Sequence, residues 1–101
     1  MDERSINRLK GLMGLCVRAG QAVFGEESCL KAVRSGQAGL LILDEEISPA
    51  AAEKYARACG REAVPTVRVP GELLESATGR PGRAMAVRRG SFADRMIRCL
   101  E

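Results

Sequence analysis

The sequence of 101 residues contains neither histidine nor tryptophan, and only 3% of its residues are aromatic. Without histidine, the chain cannot form Ser-His-Asp or Cys-His catalytic triads in their usual forms, and it cannot form His-ligated zinc or haem sites. The four cysteines form no Cys-X-X-Cys pair, which argues against a zinc ribbon or a thioredoxin-type site. We therefore interpret them as buried thiols in a reducing cytoplasm, and we predict neither a metal nor a cofactor.

The sequence also lacks any apolar stretch close to the roughly 20 residues that a membrane-spanning helix requires. The apolar run at residues 40–43 contains only four residues. The first residues carry charges of both signs and lead into no apolar segment, so we expect no secretory signal and a cytoplasmic location. The composition, with 46% hydrophobic and 29% charged residues, is typical of a soluble globular protein. The length fits one domain over residues 1–101.

Apolar patterns separated by glycines predict an alternation of helices and strands. Apolar residues recur at steps of three and four over residues 5–19, which predicts an amphipathic helix with Ser5 as its N-cap and Gly20 just after its end. The same reasoning predicts further helices at residues 26–35, 48–60, 70–79 and 92–100, and strands at residues 21–24, 40–43, 64–69 and 84–87. This order predicts an α/β domain with a parallel or mixed sheet between helical layers.

The run at residues 40–43 predicts a strand in the middle of the sheet, because it is apolar on both faces. Asp44, Glu45 and Glu46 follow it, and we interpret them as a solvated turn. The catalytic alternative is a magnesium site, since ligands often bind where strands end. Neither a nucleophile nor a phosphate-binding loop accompanies these carboxylates, so we predict that the protein is not an enzyme.

Gly25 follows a short strand and directly opens a helix, where free backbone N–H groups form a natural anion site. Lys31 lies in the second turn of that helix and can reach a bound phosphate, and Arg34 follows within one turn. A purely structural role explains the same residues, because Glu27 suits the positive end of the helix dipole and Lys31 can be an ordinary solvated lysine. The pattern alone leaves both interpretations open.

Positive charge is concentrated near the end of the sequence. Residues 79–101 contain six basic and two acidic side chains, whereas residues 39–78 contain four basic and seven acidic ones. Arg80 and Arg83 lie there on a turn-rich loop beside a predicted strand, where their planar guanidinium groups can hold a phosphate backbone. Because so few aromatic residues are present, base stacking on a sheet is disfavoured. We expect any RNA contact to use helix ends and loops.

The pattern G-x5-K-A-V-x2-G at residues 25–36 resembles the signature of the L7Ae/L30e family of ribosomal proteins. The pattern L-M-G-L-x2-R-A-G at residues 12–20 resembles the YlxQ-type bacterial branch of that family. The resemblance covers nearly the whole chain in order. It implies a three-layer α-β-α sandwich with a four-stranded mixed sheet, and non-catalytic binding of structured RNA. Such RNA is typically a kink-turn, whose sharp bend is flanked by sheared G·A pairs.

The resemblance also implies which residues contact RNA. In the family, an Asn-Glu pair at the start of the second helix reads guanines, but here Glu27 and Ser28 occupy those two positions. An ionised Glu27 accepts hydrogen bonds without donating and would repel phosphate, whereas Ser28 can still accept from a guanine amino group. The second contact in the family is the loop before the last strand, which is often apolar. Here it consists of residues 80–83, which we call the arginine loop. The predicted RNA-binding residues are therefore Gly25, Glu27, Ser28, Lys31, Arg34, Arg80 and Arg83.

Two hypotheses about function follow. The first is an RNA-binding protein with ribosomal or other kink-turn RNA as its partner, the ribosome as a candidate assembly, and no membrane or small-molecule substrate. The second is a protein–protein adaptor on the same fold, in which the basic end of the chain meets an acidic partner. The changes at Glu27 and Ser28 favour the adaptor somewhat.

Overall fold

Five helices and four strands alternate along residues 2–80 and 82–101, which are the part of the chain that the computed structural model describes. In chain order they are α1 (Glu3–Arg18), β1 (Ala22–Phe24), α2 (Glu26–Arg34), β2 (Ala38–Asp44), α3 (Pro49–Glu62), β3 (Thr66–Val69), α4 (Gly71–Thr78), β4 (Ala84–Arg88) and α5 (Ser91–Leu100). The predicted α/β class is confirmed, and each predicted element has a counterpart. No helix in the described residues is long and apolar enough to cross a bilayer.

The four strands form one mixed sheet in the order β1-β4-β2-β3. Strand β4 runs antiparallel to both β1 and β2, whereas β3 runs parallel to β2. Ile42 in β2 lies between Met85 of β4 and Val67 of β3. The predicted central position of the apolar strand is therefore confirmed. The prediction rested on the absence of a polar face in this part of the sequence.

Helices cover both faces of the sheet, which confirms the three-layer α-β-α sandwich. Successive side chains of β2 point to opposite faces, so Leu41 and Leu43 pack with α2 and α3, while Leu40 and Ile42 pack with α1, α4 and α5. Tyr55 is buried in the first layer and Met96 in the second. Burying one such side chain stabilises the fold by roughly 1.5–3 kcal/mol, so both layers contribute to the stability of the sheet.

Two predicted helix ends were wrong. Helix α1 begins at Glu3 and is capped by Asp2, whose Oδ1 accepts the backbone N–H of Ser5 at 2.8 Å. Serine, which we predicted, and aspartate are both favourable N-cap residues. Asp2 also places a negative charge at the positive end of the helix dipole. Helix α3 begins at Pro49 behind the Ser48 cap as predicted, but it continues beyond Gly60 to Glu62, and its C-cap Ala63 is in the left-handed conformation. An interior helical glycine costs only about 1 kcal/mol, which the buried face of α3 offsets.

Replacing glycine by alanine should have opposite effects on stability at Gly39 and at Gly60. A Cβ at Gly39 in β2 would lie 3.0 Å from the Cβ of Ala93 and 3.1 Å from the Cα of Arg89, whereas a Cβ at Gly60 meets nothing within 4 Å. We expect Gly39→Ala to destabilise the protein by about 1–3 kcal/mol through overpacking. Gly60→Ala should stabilise it by up to about 1 kcal/mol through helix propensity. Urea unfolding of both variants measures these changes, and equal midpoints would contradict the close packing at Gly39.

Candidate nucleic-acid interface

The turn between β1 and α2 presents unpaired backbone donors. Gly25 is the N-cap of α2, with φ of 90°, and no side chain caps this helix. A positive φ of this size is strained for residues with a Cβ, which explains glycine at this position. The carbonyl of Gly25 accepts the N–H of Cys29 at 2.9 Å, so the helix begins directly at the turn. The first-turn N–H groups have no partners within the helix and are available to an anion.

Four of the predicted residues share one exposed face of α2. Glu27, Ser28, Lys31 and Arg34 line a shallow depression of about 640 Å³ together with Ser35. Their spacing of three and four residues places them on adjacent turns of the helix. The side chains bring two positive charges and one negative charge to this surface, which we call the α2 face. The backbone N–H groups of the β1–α2 turn and the side chains of Lys31 and Arg34 can contact phosphate. The negative charge of Glu27 repels phosphate.

Gly25 and the arginine loop line the same cleft, which has a volume of about 690 Å³. The end of β1 lies beside the start of β4 because the two strands are antiparallel, with Phe24 opposite Met85. The end of β2 lies beside the same point, with Leu43 opposite Ala84. Three connections therefore meet at one edge of the sheet. The cleft is lined from the β1–α2 turn, the β2–α3 loop and the loop before β4 by Phe24, Gly25, Glu26, Glu46, Ile47, Ser48, Arg80, Gly82 and Arg83.

Arg80 packs against an aromatic ring at the mouth of the cleft. Its guanidinium carbon lies 4.3 Å from the centroid of the Phe24 ring, an arrangement that contributes about 0.5–1 kcal/mol at an exposed site. The sequence pattern indicated only an apolar strand residue at Phe24, which is in fact half-buried. The contact ties the arginine loop to β1. The predicted loop also includes Pro81, which lies outside the described residues.

Arg83 is held by a buried carboxylate that the sequence analysis placed incorrectly. We predicted that Asp44 belongs to a solvated turn, but it is the last residue of β2 and its side chain is only 3% exposed. Its Oδ2 accepts a hydrogen bond from Nη1 of Arg83 at 2.6 Å, and its Oδ1 accepts from the N–H of Glu46 at 2.9 Å. These donors compensate the loss of water around the carboxylate. Together, the N–H of Glu46 and then the Arg83 guanidinium lower the pKa of Asp44.

The start of α4 also packs on Asp44. A Cβ at Gly71 would lie 2.6 Å from Oδ2 of Asp44, so only glycine lets the helix approach this closely. The positive end of the α4 dipole adds a favourable interaction with the carboxylate. Within residues 2–80 and 82–101, no group of three or more potential ligands is placed to hold a metal ion. The partner of Asp44 is an arginine, and Glu45 and Glu46 are exposed.

The cysteines take no part in these surfaces. Cys16, Cys29 and Cys59 are buried as predicted, whereas Cys99 is only partly buried. Burial raises the pKa of Cys16 and of Cys29 to about 11, and it also raises the pKa of Cys59. A thiol with such a pKa stays protonated at neutral pH and is a poor nucleophile.

Comparison with known proteins gives consistent matches. Residues 7–94 match the model of the ribosomal protein L7Ae/L30e/S12e/Gadd45 family. RNA-binding protein YlxQ of Bacillus subtilis (strain 168) is 33% identical over 92 residues, which span 89% of this chain and 92% of that protein. A protein of unknown function from Bacillus halodurans C superposes with a TM-score of 0.85 at 30% identity, covering 91% of this chain and 95% of the other. The Giardia lamblia 15.5kD RNA binding protein shares the fold, with a TM-score of 0.78 at 20% identity, and covers 97% and 85%.

Removing the charge of Asp44 should reduce stability in a pH-dependent way. Because the folded state lowers the pKa of this carboxyl, its contribution is present above the unfolded value of about 3.9 and is lost as the pH falls through the lower folded value. We expect Asp44→Asn to destabilise the protein by about 1–3 kcal/mol at pH 7, and by less in strong acid. Urea unfolding at both pH values tests this expectation. Glu45→Gln, which removes an exposed charge beside it, is the control and should change little. An equal deficit at both pH values would show that the ionised carboxylate is not the stabilising group.

Proposed function

The chain belongs to the ribosomal protein L7Ae/L30e/S12e/Gadd45 family, and on that premise we propose that it is a non-catalytic protein that binds structured RNA of the kink-turn type. The observation that carries the proposal is the meeting of the Gly25 turn and the arginine loop across one cleft. We propose residues 1–101 as one RNA-binding domain of the cytoplasm. Its partner is ribosomal or other kink-turn RNA, with the ribosome as a candidate assembly and no cofactor or small-molecule substrate.

Phosphate contacts come from two directions in this proposal. The uncapped N–H groups at the start of α2 face an RNA strand lying along the α2 face, and Lys31 and Arg34 extend the contact down the helix. Arg80 and Arg83 hold a second segment from the opposite wall of the cleft. Arg83 remains 65% exposed while paired to Asp44. One side of its guanidinium is therefore oriented by Asp44 and the other is free for a phosphate.

Base recognition rests on the first turn of α2. The hydroxyl of Ser28 both donates and accepts, so it can bond to the edge of a guanine. Glu27 is exposed beside it, and its negative charge opposes nearby phosphate. The name of the Bacillus subtilis relative, RNA-binding protein YlxQ, supports RNA as the partner. The six basic and two acidic side chains of residues 79–101 also suit the adaptor hypothesis with its acidic protein partner, which the binding test below separates from RNA binding.

The decisive test is a titration with two labelled RNAs at two salt concentrations. One RNA carries a kink-turn, and in the other the sheared G·A pairs are replaced by Watson–Crick pairs. We expect tighter binding to the intact kink-turn. Arg80→Ala with Arg83→Ala should weaken binding to both RNAs and lower the salt slope by about 1 per arginine, whereas the matched pair Arg57→Ala with Arg61→Ala on α3 should not. Equal affinity for both RNAs would refute kink-turn recognition. Binding of polyglutamate but of neither RNA would establish the adaptor.

Replacing Glu27 by the residue type of the family should strengthen binding. Glu27→Asn removes a negative charge beside the phosphate path and supplies both a donor and an acceptor. We expect the affinity for the kink-turn RNA to rise by about tenfold, which corresponds to about 1.4 kcal/mol. Glu53→Asn, an equal change of charge on the exposed side of α3, is the control. Unchanged or weaker binding of the Glu27 variant would remove this position from the proposed interface.

A further inference from the structure

Most of the excess positive charge lies on the other side of the sheet from α2. Helices α1 and α5 together contain six basic and two acidic side chains, a net charge of +4, whereas the whole chain has +3. Both helices pack on the sheet face opposite to α2 and α3. The cleft and the α2 face are more balanced, because Glu26, Glu27 and Glu46 oppose their basic residues. The proposed RNA site therefore leaves the basic side chains of α1 and α5 unused.

Three arginines converge on a groove between α1 and α5. Arg8 of α1 faces Arg95 and Arg98 of α5 across a groove of about 210 Å³, with Leu12 and Cys99 as its remaining lining. Arg95 and Arg98 lie three residues apart, so they occupy adjacent turns on one side of the helix. All three arginines are exposed. No carboxylate lines this groove, and none of the ion pairs formed within residues 2–80 and 82–101 involves these arginines.

The nearby acidic residues have other positions or partners. Asp94, which precedes Arg95, lines a separate groove near Gly39 and Ala63. Asp2 accepts the backbone N–H of Ser5 as the cap of α1. That hydrogen bond lowers the pKa of Asp2, and the charge of Arg8 makes a smaller contribution in the same direction. Glu101 follows Arg98 by three residues, and neither it nor any other side-chain carboxylate of the described residues forms an ion pair with the three guanidinium groups.

We propose that this α1–α5 groove is a second RNA-contacting surface, which binds the phosphate backbone without regard to base sequence. Guanidinium groups bind phosphate oxygens through paired hydrogen bonds, and three of them on two helices can follow a backbone. No aromatic side chain lines the groove, so bases have no platform for stacking. A protein partner would need an apolar centre, whereas Leu15, 48% exposed, is the one large hydrophobic residue exposed in the described chain.

The position of the groove determines what it does. The molecule measures 31 × 27 × 24 Å along its principal axes, and the groove lies across the sheet from the α2 face. Contacts on both faces would allow one protein molecule to hold two segments of a folded RNA. This surface goes beyond the proposed function, because it requires neither a kink-turn nor the Gly25 turn. Its contribution is electrostatic and is therefore expected to weaken steeply with salt.

The test uses a fully paired RNA duplex without a kink-turn, titrated at several salt concentrations. Arg8→Gln, Arg95→Gln and Arg98→Gln are combined in one variant of the full chain. We expect its affinity for the duplex to fall at least tenfold, and its salt slope to decrease by about 2–3, since each of the three phosphate contacts contributes about 0.7–0.9 to the slope. The matched control combines Arg57→Gln, Arg61→Gln and Arg68→Gln, which removes the same charge from exposed positions elsewhere. Circular dichroism melting checks that both variants fold.

Three outcomes would overturn the second surface. Unchanged duplex binding in the α1–α5 variant removes the groove from RNA contact. An equal loss in the control variant shows that net charge alone is responsible. Lost binding of polyglutamate with RNA binding intact assigns the groove to an acidic protein partner. In contrast, a wild-type protein that binds the duplex through these arginines but shows no kink-turn preference supports the groove while contradicting the proposed function.

Discussion

Asp44 places a negative charge at the end of the central strand, in a position almost closed to water. A carboxylate removed from water costs several kcal/mol unless hydrogen-bond donors and positive charge replace the water. Here the hydrogen-bond donors are the N–H of Glu46 and the guanidinium of Arg83, while the positive end of the α4 dipole packs on the carboxylate at Gly71. The arrangement of the cleft therefore depends on the hydrogen bonds that the Asp44 carboxylate accepts. The loop before β4 is placed where Arg83 can reach it.

The order of the strands explains why the cleft exists at all. Antiparallel pairing of β4 with both β1 and β2 puts the start of β4 beside the ends of its two neighbours. The connections that follow β1 and β2 and the one that precedes β4 must then share an edge of the sheet. Residues far apart in sequence, such as Gly25 and Arg80, become neighbours through this topology. The strand order already places the arginine loop beside the end of β1, and the contact of Arg80 with the Phe24 ring stabilises this arrangement further.

Local sequence patterns predicted the elements but not their long-range partners. The helix and strand order follows from apolar periodicity and glycine positions, and the central place of β2 follows from its lack of a polar face. The burial of Asp44 could not be predicted in the same way, because Arg83 lies 39 residues away and the adjacent Glu45 and Glu46 are exposed, as in a solvated turn. The grouping of Glu27, Ser28, Lys31 and Arg34 was predictable from helical spacing. The proximity of Gly25 to Arg80 and Arg83, in contrast, depends on the strand order.

The proposed division of RNA contacts between two surfaces follows from a conflict at α2. Carboxylates in the first turn of a helix are stabilised by its dipole, yet the same turn is the proposed entry point for a polyanion. Glu26 and Glu27 thus favour the free protein and oppose its complex, so affinity gained at this turn must come from directed contacts more than from net charge. The groove between α1 and α5 carries no such carboxylate. The α1–α5 groove, which attracts phosphate generally, and the α2 face, which discriminates RNA by shape, therefore lie on opposite sides of the sheet. The charge of one surface can then differ from that of the other.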